Sequence, residues 1–363
     1  MPAKTLKAGL IGCGGIANGK HMPSIAQIPE LEIVAFCDII IERAEKAAKL
    51  YGAKGAKTYK DYKDLLKDKA IDVVYVLTPN REHSFMTIEA LEAGKHVLCE
   101  KPMAKTSKEA KEMVEAAKKS GKVLTIGYQN RYRENSQYVK KMVERGDLGD
   151  VYFAKAHAIR RRGVPTWGVF LDGEAQGGGP LIDIGTHALD LTLWTMNNYK
   201  PKTVLGSVYH KLNQFGDSGN IFGPWDPKKF NVEDSAFGFI TMEDGSSIIL
   251  ESSWALNTVD EGEAITTLCG TKAGIDMKEG MDSLRINGDD LGRKYVSTPD
   301  LKAGFVPFYE GASSSPQVTE QRVFVDAILK GTPPTVLPEQ AFVVTQILEA
   351  IYESSKTGKA VVF

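Results

Sequence analysis

Along the first 125 residues, short runs of nearly continuous apolar character alternate with segments of helical pattern. Leu6 to Ile11, Glu32 to Cys37, Asp72 to Leu77, His96 to Cys99 and Val123 to Ile126 are β-rich runs of strand length. Apolar residues at successive rather than alternate positions are the pattern of parallel strands covered on both faces. Between these runs lie Ile41 to Leu50, Arg81 to Ala93 and Ser107 to Ser120, rich in Ala, Lys, Glu and Leu. Gly52, Gly94 and Gly121 follow them as helix-stop signals. Strand and helix in strict alternation predict right-handed βαβ units and a doubly wound parallel sheet.

The pattern then changes. After a helix-like stretch from Glu134 to Arg145, strand-like runs follow one another through turns: Val151 to Ile159, Thr203 to Tyr209, Ser235 to Met242, Ser246 to Trp254 and Glu263 to Cys269. Glu243-Asp244-Gly245 and Cys269-Gly270-Thr271 read as hairpin turns. One helix, Pro180 to Met196, interrupts this region, and two more, Thr319 to Lys330 and Pro338 to Lys356, close the chain. The second region is therefore an α+β domain on a mainly antiparallel sheet. Two loops stand out, Gln214 to Glu233 and the Gly311 to Pro316 tip. The expected division is 1–127 for the first domain and 128–363 for the second, with the closing helices free to pack back on the first.

Composition narrows the class. The 363 residues exceed one ordinary core and suit two domains. With 42% hydrophobic and 25% charged residues the chain reads as globular rather than disordered. Lys and Arg number 45 against 46 Asp and Glu, a balance that argues against a nucleic-acid footprint and against a membrane surface. Neither a bilayer-spanning run nor a signal peptide is recognisable, so a cytoplasmic location is expected. Four scattered cysteines suggest neither disulfides nor zinc, and no metal is expected.

Gly12-Cys13-Gly14-Gly15-Ile16-Ala17 follows the first strand, opens a helix and fits GxGxx(G/A). In such a turn Gly12 makes the bend, Gly14 lets backbone approach a pyrophosphate, and Ala17 permits close helix–strand packing. The helix start then offers N–H groups to phosphate. Asp38 ends the second strand, where an acid bonds both ribose hydroxyls of a dinucleotide. The bland reading of the same residues is a glycine-rich turn and a capping aspartate. A carboxylate at Asp38 repels a 2′-phosphate, and Ile39-Ile40-Ile41 supply no cation, so NAD is favoured over NADP; Arg43 keeps the alternative open.

Two further places carry chemistry. Lys101 follows the run His96-Val-Leu-Cys-Glu100 at the C-terminal edge of a strand, where α/β sheets bind ligands. An ammonium there can stabilise an alkoxide, although a lysine before proline is also an ordinary solvated loop charge. Thr78-Pro79 ends the preceding strand at the same edge, so its backbone and Asn80 line the cleft; His83 read alone is a helix-surface or core histidine. Along the Pro180 helix, Asp183, His187 and Asp190 fall within about 60° of one another while nearly every other position is apolar. An ionisable stripe on a buried helix faces a pocket or a buried polar network.

Taken together, GCGGIA with His21 after it, Asp38, Thr78-Pro79-Asn80 with His83, Glu100-Lys101-Pro102, Asp183-Ile-Gly-Thr-His187 with Asp190, and the closing Ala327 to Ser354 segment resemble the glucose–fructose oxidoreductase and inositol dehydrogenase group, Gfo/Idh/MocA. The resemblance implies an N-terminal Rossmann domain, a C-terminal domain with an open-faced sheet, and NAD(P)-linked chemistry on a hydroxyl of a sugar, glycoside or cyclitol. It implies cofactor contacts from Gly12, Gly14, Gly15, Ile16, Ala17, Asp38, Thr78, Pro79, Asn80, His83, Glu100 and Lys101. Lys101 then polarises the reacting oxygen, His187 serves as acid–base group, and Asp183 bonds a neighbouring hydroxyl or orients the base. Arg131, Arg160 and Trp167 are further candidate substrate contacts, with a solvated basic loop as the alternative for Arg160. Two other classes stay open: an NAD-dependent glycoside hydrolase working by oxidation and elimination, and a non-catalytic NAD-sensing protein. Finally, Phe237, Phe239, Ile249 and Trp254 on two alternating strands predict an apolar sheet face that a second copy of the chain covers.

Overall fold

The computed structural model describes residues 5–216, 219–277, 284–301, 308 and 315–363. The chain divides into two compact units, Met1–Gln129 with Pro307–Phe342, and Asn130–Val306 with Val343–Phe363. In the first unit β1 (Leu6–Ile11) leads through a π turn at Ala17–His21 into the short α1 (Met22–Ile25). Then follow β2 (Leu31–Cys37), α2 (Ile41–Tyr51), β3 (Lys57–Tyr59) and α3 (Tyr62–Lys67). Next come β4 (Val73–Val76), α4 (Asn80–Glu92), β5 (His96–Cys99), α5 (Ser107–Ser120) and β6 (Leu124–Ile126).

These strands pair in parallel in the order β3-β2-β1-β4-β5-β6. The continuous apolar runs are buried on both faces; every residue of β4 and β6 is buried. A capping box, Thr106 with Glu109, starts α5. The strand order reverses between β1 and β4, and the crevice beyond their carboxyl ends is where such sheets bind ligands.

The second unit contains α6 (Glu134–Arg145), β7 (Val151–Ile159), α7 (Gly173–Gln176), a π turn at Leu181–Gly185 and α8 (Thr186–Met196). β8 (Pro201–Tyr209), β9 (Ser235–Met242), β10 (Ser247–Ser253) and β11 (Gly262–Gly270) follow, then β12 (Ala273–Met277), β13 (Leu284–Asp290) and β14 (Arg293–Ser297). The chain closes with α9 (Pro316–Lys330), α10 (Pro338–Thr357) and β15 (Val361–Val362). Among the described residues the second sheet has the order β14-β13-β12-β11-β7-β10-β9-β8-β15. Its β7–β10 pair is parallel and its other neighbouring pairs are antiparallel.

Helix α8 packs against β7 and β11. Large apolar side chains stand exposed on strands of this sheet: Leu205 lies opposite Phe239, itself opposite Ile249, and Phe239 is 44% exposed. Trp254 corrects the sequence reading. It lies just past the end of β10, where alternation no longer dictates the face, and it is fully buried. Val318, Phe324 and Val325 of α9 join the core of the first unit beside Leu10, Phe36 and Tyr75. Of the tip read at Gly311 to Pro316, residues 311–314 lie outside the described residues.

Candidate active site

Gly12 turns the chain at φ +95°, and a Cβ there would sit 2.6 Å from the Leu77 carbonyl oxygen. No other residue type fits between β1 and β4. At Gly14 and Gly15, by contrast, an added Cβ would meet open space, so nothing of the protein closes that side of the turn. Ala17 is fully buried against the core, and Ile16 is exposed. The Asp38 carboxylate is anchored by two backbone donors, Cys13 N–H at 2.9 Å on Oδ2 and Ile40 N–H at 2.9 Å on Oδ1. Each oxygen keeps acceptor capacity for a ligand hydroxyl. The Thr78 hydroxyl, in the loop after β4, is a buried polar atom without a hydrogen-bond partner. A backbone turn open on one side, an anchored acid at the end of β2 and an orphaned hydroxyl fit a dinucleotide.

Lys101 follows β5 and is half-buried. Its N–H donates to Glu100 Oε2 at 3.0 Å. The other Glu100 oxygen takes Lys20 Nζ at 2.8 Å and His21 Nε2 at 2.7 Å, and Lys20 also reaches Glu320 Oε2 at 3.1 Å. Gln321 faces His21 Nδ1 at 3.4 Å and accepts from the Tyr75 hydroxyl at 2.8 Å. Burial, reinforced by the Lys20 charge, lowers His21 to about 4, so its ring is neutral near pH 7. Burial raises Glu320 to about 7 despite Lys20. Burial would raise Glu100 too, but Lys20 and His21 reverse this and hold it well below the usual carboxylate range.

In the second unit the first turn of the Pro180 helix is π rather than α, an irregularity often found at functional sites. From Leu181 to Met196, Asp183 and His187 are the two residues that are not buried. Asp183 Oδ2 accepts the indole N–H of Trp254 at 3.0 Å. The helix start is gripped by Glu233, whose carboxylate accepts Gly179 N–H at 2.9 Å, Leu181 N–H at 3.2 Å and the Tyr352 hydroxyl at 2.8 Å. A Cβ on Gly178 would overlap that hydroxyl, and one on Gly179 would overlap the Glu233 carbonyl. The glycines before Pro180 are thus a packing requirement. A cleft of about 630 Å³ in this unit is lined by residues including Arg160, Arg161, Arg162, Phe222, Asn257 and Glu263. Trp167, 52% exposed, stacks edge-on to Phe222 with ring centres 4.8 Å apart.

Four sequence-based assignments change. Arg131 is fully buried, with Nε at 3.0 Å and Nη2 at 2.6 Å from the Asp190 carboxylate, and it lies over the Trp194 ring. It is a core ion pair rather than a substrate contact, and it removes Asp190 from the exposed stripe. Arg160 is held by Glu263 and the Gly163 carbonyl. Glu100 spends both oxygens on protein donors, and His83 is buried against two backbone carbonyls, so neither side chain is turned to a cofactor. Asn80, at the start of α4, and Pro79 stay half-buried at the strand edge. Sequence reasoning missed Lys20, Glu320, Trp254, Glu233 and Tyr352. The triple glycine at Gly177–Gly179 was the one available signal, since it demands something large close by.

Residues 6–128 match the family model described as "Oxidoreductase family, NAD-binding Rossmann fold", and residues 140–363 match its "C-terminal alpha/beta domain". The chain is 35% identical over 362 residues to the D-glucoside 3-dehydrogenase of Escherichia coli K12, covering 99% of this chain and 98% of that protein. It is 33% identical over 199 residues to the inositol 2-dehydrogenase of Salmonella typhimurium, covering 54% of this chain and 56% of that protein. A levoglucosan dehydrogenase solved with NADH and levoglucosan has the same fold, with a TM-score of 0.83 at 22% identity over 99% of both chains. Among the described residues no helix is long and apolar enough to cross a membrane.

Proposed function

The chain belongs to the Gfo/Idh/MocA oxidoreductase family, with that family's NAD-binding Rossmann domain, and on this premise we propose that it oxidises a secondary hydroxyl of a sugar, glycoside or inositol. The observation that carries the reading is the pair Asp183 and His187, half-exposed on a helix otherwise buried from Leu181 to Met196. The relative named D-glucoside 3-dehydrogenase supports a glycoside among these substrates.

NAD, when bound, supplies the acceptor for the hydride that leaves the substrate carbon. Gly12, Gly14, Gly15, Ile16 and Ala17 would hold its pyrophosphate, and Asp38 its ribose hydroxyls. Thr78, Pro79 and Asn80 would line its path. Asp38 also favours NAD over NADP, because Ile39 and Ile40 are exposed beside it and offer no cation to a 2′-phosphate. Lys101 polarises the reacting oxygen, and His187 takes the hydroxyl proton at Nε2, its Nδ1 being buried. Asp183, fixed by the Trp254 indole, bonds an adjacent hydroxyl. Trp167 offers an apolar face to a sugar ring. A second copy of the chain covers the apolar row of Leu205, Phe239 and Ile249.

A panel of glucosides, free sugars and inositols with NAD and with NADP, followed by NADH absorbance, tests this reading. Reduction of NAD by at least one member is expected. Release of nitrophenol from a nitrophenyl glycoside without net NADH would instead favour elimination chemistry. A preference for NADP would refute the reading of Asp38.

A further inference from the structure

His83 lies on α4, and its ring is buried. Its Nδ1 is 2.7 Å from the carbonyl oxygen of Pro102, and its Nε2 is 2.9 Å from that of Thr78. Carbonyl oxygens carry lone pairs and no proton, so both contacts are hydrogen bonds only when both ring nitrogens donate. Either neutral tautomer would press a nitrogen lone pair against a carbonyl inside the core, where the weak S–H donor of Cys99 is the one alternative partner among the described residues. Turning the ring over would put carbons where the nitrogens are and lose both bonds.

The two carbonyls belong to different loops. Thr78 follows β4, and Pro102 follows β5, both at the carboxyl edge of the sheet. We infer that His83 is a buried imidazolium that staples these two loops together and so positions Lys101. The backbone around Lys101 is then fixed on both sides. Its own N–H is held by Glu100 Oε2, and the carbonyl of the next residue is held by His83 Nδ1.

Electrostatics agree with the geometry. Burial by itself disfavours the cation, but the Cys99 sulfur of β5 and the Pro102 and Thr78 carbonyls overcome it and raise His83 to about 9. His21, also buried, meets a carboxylate on one nitrogen and an amide on the other, and it goes the opposite way. His83 is thus a positioning residue that acts through the backbone on either side of Lys101. Its effect on turnover rests on the dehydrogenase reading above, whereas its protonation state does not.

The test uses the full chain labelled with ¹⁵N. Nitrogen–proton correlations of the histidine rings are recorded at pH 8, with the His83 signals identified by their loss in His83→Gln. Two protonated ring nitrogens are expected at a pH where an ordinary histidine is neutral. A single-tautomer neutral ring would overturn the inference. Should the variant not fold, the wild-type spectrum still decides when read beside that of His157→Gln, which removes the histidine paired with Glu251. A doubly protonated ring must persist there at pH 8, and its absence overturns the inference. In His83→Gln, kcat is expected to fall by about 10- to 100-fold, the scale of a misplaced reacting group, with KM and NADH affinity within about threefold. Unchanged kcat would remove the positioning role. A chain that shows the doubly protonated ring but fails to reduce NAD with any sugar, glycoside or inositol of the panel would count against the dehydrogenase reading and leave the staple standing.

Discussion

Around Lys101, in the first unit, Lys20, His21, Glu100 and Glu320 are buried together, and His83 lies buried between two loop carbonyls. Along the helix of Asp183 and His187, in the second unit, the neighbours are apolar, and the remaining acid, Asp190, is neutralised by Arg131. One region surrounds Lys101 with mobile proton sites, whereas the other seats Asp183 and His187 on close packing, with Glu233 and the Arg131–Asp190 pair as its fixed charges. The difference predicts different weaknesses. Buried charges tolerate changes of volume poorly only where pairing is lost, and they respond to pH. A helix seated by glycines and an indole responds to added or removed atoms, and it should be nearly blind to pH.

The largest expected effect comes from removing a charge. Lys20→Met leaves the Glu100 and Glu320 carboxylates without their shared cation and should cost about 3–5 kcal/mol of stability, the usual cost of unpairing a buried ion. Urea unfolding measures it, and a loss below about 1 kcal/mol would show that charge does not hold this region. A pH effect is next in size. Because His83 is raised from 6.5 to about 9 in the folded chain, its contribution is fully present below pH 6.5 and is lost as pH rises through about 9. The span corresponds to roughly 3 kcal/mol. Urea unfolding of wild type against His83→Gln between pH 6.5 and 9 should show that slope in wild type alone; parallel curves would sink the contrast. The smallest effect belongs to the helix. Trp254→Phe keeps a buried ring but deletes the N–H that Asp183 accepts, so stability should fall by only about 1–2 kcal/mol. That loss should be the same at pH 6 and pH 8, and a clear pH dependence would place the helix in the same class as the Lys101 edge.

These two regions were unequally legible in the sequence. The parallel strands were readable because a strand buried on both faces must be apolar at nearly every position, and β1 and β5 end where the runs end. The Pro180 helix stood out because Asp183, His187 and Asp190 share one side of an otherwise apolar segment. β14 was not legible, since every position of it is exposed, and β13 alternates only over Leu284 to Asn287 before polar residues take over. The charge cluster was invisible because its members come from separate elements: His21 and Gln321 meet across 300 residues. Arg131 was misjudged on the same ground, its partner Asp190 being 59 residues away. The return of Pro307–Phe342 to the first unit leaves no local signature, because a helix core face looks alike whichever sheet it covers.

The central claim is that His187 takes the substrate proton while Lys101 holds the oxygen, and the pH dependence of oxidation tests it most directly. For wild type and His187→Asn, the rate of NADH formation on a glucoside is measured across pH 5 to about 10, with NADH affinity measured alongside. The wild-type rate should rise with pH to a plateau as the imidazole loses its proton. The variant should bind NADH normally, run about 100- to 10,000-fold slower, and show no rising limb. A variant that keeps both the rate and the limb would contradict the claim and pass the proton to Lys101.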